Sequence, residues 1–174
     1  YKGKELFSAY GIAVQKGVVA VNSHEAYDAA KTLTPPYVLK AQVQAGGRGK
    51  AGGIKFAQNA ADAQKEFDKI IGMKIKDITV KKVLIAEKVE ILDEWYLSII
   101  LDRASKCPMI IFSPLGGIDI EDTARTSPQK VAKITVNPLL GIKQYIARYI
   151  FKKYELDGKD FEQFYSILCK LYTL

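Results

Sequence analysis

The sequence of 174 residues contains one histidine, His24, and two cysteines, Cys107 and Cys169. That scarcity closes off several chemistries. A zinc site built on Cys and His has too few ligands, and two cysteines far apart do not make a disulfide framework. Both lie in apolar surroundings and read as buried thiols in a reducing, cytoplasmic setting. Long apolar runs are also missing. Met109–Phe112 is typical of those present, far short of a membrane span. No charged segment followed by an apolar one opens the sequence, so no secretory leader is expected. Repeats and low-complexity linkers are lacking as well.

What is present is a folding composition, 48% hydrophobic with 26% charged, and a basic balance of 26 Lys and Arg against 19 Asp and Glu, net +7. A chain of this length buries a real core. The positive excess points to an anionic partner: nucleic acid, acidic lipid or a phosphate-bearing small molecule.

The spacing predicts a short helix over 4–10 stopped by Gly11, extended chain over 12–20, and a helix capped by Ser23 and ended by Pro35-Pro36. Alternation over 37–44 predicts a strand, with Val38, Lys40, Gln42 and Gln44 on a partly polar face. A glycine loop over 46–53 leads to a strand over 54–57. Asn59 then caps a helix over 60–71 closed by Gly72. Strands follow at 80–87, 95–102 and 108–113, the last two joined as a hairpin by Arg103–Lys106. A short helix near 119–124, extended chain over 131–136, and helices over 142–154 and 160–171 complete the pattern. This is mixed α/β or α+β. It stops at Leu174 where an α/β pattern would supply another strand, so it reads as a piece truncated on its C-terminal side.

Five of the thirteen glycines fall within Gly46–Gly53, with Arg48 and Lys50 among them. Glycines let backbone approach a ligand, and amides plus cations make an anion site; the plainer alternative is a mobile hairpin tip. Gly47-x-Gly49-x-x-Gly52 matches the dinucleotide fingerprint, but a strand follows where a helix is needed. A Walker loop fails because Ala51 stands where a hydroxyl is required. Strand, glycine hairpin and strand match loops that cover phosphates from above, although the signature residues of protein kinases are missing. Gly46–Gly49 also satisfies the G-x-x-G of a single-strand RNA module, whose loop joins helices instead. Lys40, in an otherwise apolar strand leading into the loop, reads as a point charge for phosphate; an edge-strand lysine is the alternative.

The run Pro36–Lys55 closely resembles a segment of the β subunit of succinate–CoA ligase (succinyl-CoA synthetase). Gly3–Phe7 with Tyr10-Gly11, Glu94–Leu97, Leu101–Arg103 and Gly116–Glu121 follow in the family's order. The resemblance runs the whole length and implies an α+β ATP-grasp fold, its nucleotide held between two lobes. It implies residues 14–90 as the loop-bearing lobe and 91–174 as the start of the second. Lys40, Gly47, Arg48 and Gly49 would hold phosphates of ATP or GTP. Ala86 and Val89 would offer backbone groups to the base, and Glu94 would hold the ribose hydroxyls. The family often has Glu at the place of Ala86, a change that a backbone contact survives.

The resemblance further implies a partner α subunit that carries a phosphohistidine, with succinate and coenzyme A handled by the complete heteromer. Other acid–CoA ligases, for malate or citrate, share the pattern. No catalytic residue and no metal ligand is expected in this stretch. Magnesium ligands are expected beyond Leu174, and Asn137-Pro138-Leu139 only imitates their segment. Asp119, Glu121 and Asp122 read as the acidic first turn of a helix. Alone, this stretch is expected to bind nucleotide weakly and not to turn over. Lys143, Arg148, Lys152 and Lys153 read as solvated surface or a subunit contact, and neither nucleic acid nor membrane is expected as partner.

Overall fold

A computed structural model describes residues 1–117 and 119–174; Ile118, within the Gly116–Glu121 run quoted above, lies outside them. The chain divides into two compact units. One comprises Tyr1–Ser8 with Ala13–Glu90, the other Ala9–Ile12 with Ile91–Leu174.

The first unit is organised by an antiparallel sheet in the order β1-β6-β2-β3, from β1 (Gly17–Ala20), β2 (Tyr37–Ala41), β3 (Ile54–Ala57) and β6 (Val83–Glu87). Its helices are α1 (Lys2–Ala9), α2 (Ser23–Lys31) and α3 (Ala60–Ile70). Alternation gives the sheet two faces. Tyr37, Leu39, Ala41, Val83 and Ile85 are buried together with Ala26 and Ala30 of α2 and with Ala63, Phe67 and Ile70 of α3. On the opposite face Val38, Leu84 and Ala86 form a smaller cluster, with Val19 and Tyr1 against it.

Local sequence explains the helix starts, with one shift. Asn59 caps α3 by accepting from the Asp62 amide at 2.9 Å. The cap of α2 is Asn22, not Ser23: Asn22 is extended and its Oδ1 accepts from the Glu25 amide at 2.9 Å. Either residue type can cap, and the backbone turns helical after Asn22. The strands are shorter than alternation suggests, ending at Ala41 and beginning at Val83 and Gly17. Between α3 and β6 lies a small hairpin, β4 (Lys74–Ile75) and β5 (Ile78–Thr79). Its turn residues Lys76 and Asp77 both have positive φ.

The second unit holds a sheet in the order β7-β8-β9, from β7 (Tyr96–Asp102), β8 (Cys107–Ser113) and β9 (Ala132–Thr135). Its helices are α4 (Ile120–Thr126), α5 (Gln144–Tyr154) and α6 (Phe161–Thr173). Ile110, Phe112 and Ala132 of the sheet meet Ile146, Ala147, Ile150 and Phe151 of α5 and Phe164 and Leu168 of α6. Trp95 packs edge-on against Phe112, Phe151 and Phe164, with ring centroids 6.0–6.1 Å apart. Cys107 and Cys169 are half-buried and unpaired rather than fully buried. Cys107 begins strand β8, and Cys169 lies on the only partly covered helix α6. Among the described residues, no helix is long and apolar enough to cross a membrane.

Candidate functional site

The glycine segment joins two antiparallel strands, β2 and β3. Its base is closed by the Ala41 amide donating to the Gly53 carbonyl and the Gly53 amide donating to the Arg48 carbonyl, both at 2.8 Å. Gly53 is there because nothing larger fits: a Cβ would lie 2.7 Å from Ile75 and 3.0 Å from Ala41. Ala51 and Gly52 donate to the carbonyls of Gly47 and Gly49. Among the described residues, the amides of Gly47, Arg48 and Gly49 donate to no protein acceptor, and all three residues are exposed. The Arg48 guanidinium reaches the Ala41 carbonyl at 3.4 Å, so its charge stays at the loop's base. Open amides beside a cation are the kind of group that can receive an anion.

Lys40 sits in β2 opposite Leu84 on one side and Ile54 on the other. Paired residues share a face, which puts Lys40 with Val38, Leu84 and Ala86. Its Nζ lies 3.5 Å from Gln15 Oε1. Lys4 of α1 donates to the same oxygen and to the Gln15 carbonyl, each at 3.2 Å. Partial burial, and then the Lys40 charge, hold the Lys4 ammonium below the usual lysine range. Neither Lys4 nor Gln15 was legible from spacing. Both reach Lys40 only through the packing of α1 and of the chain before β1.

Ala86 faces Val38 in the sheet. The bonds from Gln42 to Lys82 and from Lys88 to Pro36 flank this pair in the same ladder. Alternation therefore makes Val38 and Ala86 a hydrogen-bonded pair, which engages the amide and carbonyl of Ala86. Val89, just past the strand end, is exposed. Phe56, opposite Val38, is 59% exposed and carries Lys88 Nζ 5.4 Å above its ring. Exposed Ile54 and Phe56 thus extend the apolar sheet face beside Lys40. The Ile54-x-Phe56 alternation was the signal that could have found this platform.

The strand end is pinned by Glu87. Its Oε1 accepts from the Thr34 amide at 2.9 Å, and its carbonyl accepts from Gln15 Nε2. The Thr34 amide holds the carboxyl below its ordinary range against the opposing effect of desolvation, with the Thr34 side chain and the Lys16 charge adding to it. A lowered folded-state value adds stability above the ordinary Glu range and loses it as pH falls through the lowered value. Glu87→Gln should therefore be less stable than the parent at neutral pH. The gap should close in acid, as read by urea unfolding at the two pH values.

Glu94 belongs to the second unit and is exposed. Its carbonyl accepts from the Gly116 amide at 2.7 Å, and its carboxylate lies against Gly117. A Cβ on Gly117 would approach the Glu94 carboxyl carbon to 3.0 Å, at a left-handed φ of 68°. Gly117→Ala is expected to lower stability by about 1 kcal/mol or more and to displace the Glu94 carboxylate. Thermal melting checks the first effect.

Other candidates resolve into structural roles. His24 is exposed on α2, 3.3 Å from Asp28. Asp119 caps α4 by accepting from the Glu121 amide, and Asp122 pairs with Arg125 at 2.8 Å. Asn137 turns its side chain onto the Leu139 amide at 2.9 Å. Among the described residues, no group of three His, Cys, Asp or Glu side chains is placed to hold a metal ion. Arg148, Lys152 and Lys153 are exposed on α5, and Lys143 precedes its first turn.

A family model described as ATP-grasp domain matches residues 1–174. The β subunit of an ADP-forming succinate–CoA ligase from Chloroflexus aggregans is 45% identical over 173 residues, 99% of this chain and 45% of the relative. A GDP-forming counterpart from Thermus thermophilus is 41% identical over 99% of this chain and 45% of its own length. The chain thus spans less than half the length of these curated relatives. Among solved structures, a dinucleotide-forming acetyl-coenzyme A synthetase of Candidatus Korarchaeum cryptofilum, in complex with coenzyme A, Ca-AMPCP and HgCl+, superposes with a TM-score of 0.79 at 20% identity, covering 98% of this chain and 76% of that one. PH1788 from Pyrococcus horikoshii gives 0.79 at 24% identity, covering 99% and 74%. These likenesses show a shared fold.

Proposed function

Because the chain belongs to the ATP-grasp domain family, we propose that it is the nucleotide-binding part of a succinate–CoA ligase β subunit. The observation that carries this reading is the joint placement of Lys40 and the three open loop amides on one β2–β3 hairpin. Phosphoryl transfer depends on placement and on neutralising charge over the phosphate oxygens. Lys40, Arg48 and the amides of Gly47–Gly49 supply that positive side. Exposed Ile54 and Phe56 give the base an apolar floor, and exposed Val89 offers it backbone polar groups. Glu94 is assigned to the ribose hydroxyls, with Gly117 as the small residue that lets its carboxylate lie where it does.

In the complete heteromer the terminal phosphoryl of ATP or GTP would leave the nucleoside diphosphate for a histidine of the α subunit. It would then pass to succinate, and coenzyme A would displace phosphate to give succinyl-CoA. The similar proteins include both ADP-forming and GDP-forming ligases, and engagement of the base through backbone groups suits either nucleotide.

The reading is tested by titrating the chain with ATP and with single-stranded RNA at two salt concentrations. ATP is expected to bind at both. RNA that binds tightly at low salt and is released steeply at high salt, with no ATP binding, would overturn the reading in favour of a nucleic-acid module. Gly117→Ala should also weaken ATP binding although it introduces only a methyl group.

A further inference from the structure

We infer that Lys4 is a second phosphate-binding lysine, forming with Lys40 a paired-ammonium seat for one phosphate group; this deepens the nucleotide-binding reading above and rests on it. The two lysines come from different elements, α1 and β2, and meet at one atom. Gln15 Oε1 accepts from Lys4 Nζ at 3.2 Å and lies 3.5 Å from Lys40 Nζ. Gln15 is itself held, since its Nε2 donates to the Glu87 carbonyl.

Gln15 Oε1 is thus shared by two ammonium groups. Lys4 is half-buried and donates only to neutral oxygens of Gln15. Among the described residues it meets no carboxylate within ion-pair distance. The Glu87 carboxylate is turned onto Thr34. Two ammonium groups this close repel each other, and the partial burial of Lys4 reduces the screening. A phosphate carrying two negative charges accepts charge-assisted bonds from both ammoniums, which an amide oxygen does less well. An open groove of about 860 Å³ lies beside Lys4 and is lined by Gln15, Val19 and Leu84 among others.

The alternative is a purely structural Lys4 that ties α1 to the Gln15 carbonyl. Calorimetric titration of the full chain with ATP and with adenosine separates the two, using Lys4→Met, Lys4→Arg, Lys40→Met and the double variant, each also melted without ligand. Lys4→Met is expected to weaken ATP binding about tenfold and to leave adenosine within about twofold. Lys4→Arg should restore most of the loss. The double variant should lose less than the product of the two single effects, because both side chains serve one group. If Lys4→Met lowers the melting temperature but leaves ATP affinity unchanged, while Lys40→Met weakens it, this inference falls and the nucleotide reading stands. If ATP binds no better than adenosine and Lys40→Met changes nothing, both fall.

Discussion

Lys40→Ala is expected to weaken ATP binding by roughly 10- to 100-fold, the loss that accompanies removal of one or more charge-assisted hydrogen bonds. Lys65→Ala should stay within about twofold of the parent. The contrast follows from placement. Lys40 stands in an interior strand, flanked by β6 and β3, so its Cα is fixed from both sides, and the β2–β3 pairing carries it directly into the loop. Its charge is aimed by the sheet face it shares with Leu84. Lys65 lies on α3 with 75% of its side chain exposed, 4.0 Å from Asp62. Both changes remove one positive charge, so a general attraction of ATP to a basic protein would make them equal. Calorimetry on both variants, with melting curves to show an intact fold, reads the difference. Equal effects would remove Lys40 from the phosphate site.

Phe112→Ala should be the most damaging change to stability, about 3–5 kcal/mol. Phe112 is fully buried and touches three other rings at centroid distances of 5.5–6.0 Å: Trp95, Tyr154 and Phe164. Truncation leaves a cavity in the layer where the β7-β8-β9 sheet meets α5 and α6. Trp95 is the only tryptophan, so urea unfolding followed by its fluorescence reads this unit alone. Native emission should also shift to the red as Trp95 loses a wall. Since Trp95 immediately follows Glu94, the same change should loosen the carboxylate assigned to the ribose. Leu101→Ala, at a position 71% exposed, should move stability by no more than about 0.5 kcal/mol. Equal losses would show that the aromatic cluster is not the stabilising centre of this unit.

Much of this arrangement was legible locally, and the parts that were not have physical reasons. The β2–loop–β3 hairpin declared itself because glycine density and alternation are patterns of neighbouring residues. Asn59 announced α3 for the same reason. The β4–β5 hairpin did not, because its strands are two residues each and its turn places Lys76 and Asp77, rather than glycine or asparagine, at positive φ. Lys4 and Gln15 carry no signal that ties them to Lys40. They meet it only when α1 and the segment before β1 pack on the sheet. Ala86 was chosen as a backbone contact from resemblance, and only the strand register reveals that its amide and carbonyl face Val38. The basic balance also became divisible. Lys40 and Arg48 are the cations assigned to the proposed phosphate site, whereas Arg148, Lys152 and Lys153 stay on an exposed face of α5.

The most direct test follows backbone amide resonances of the chain while ATP, and separately adenosine, is added. The amides of Gly47, Arg48 and Gly49 should shift with ATP and stay nearly still with adenosine, since they are assigned to phosphate. The Val89 amide should move with both, because it is assigned to the base. Loop amides that do not respond to ATP, with shifts gathered instead on α5, would contradict the account at its centre.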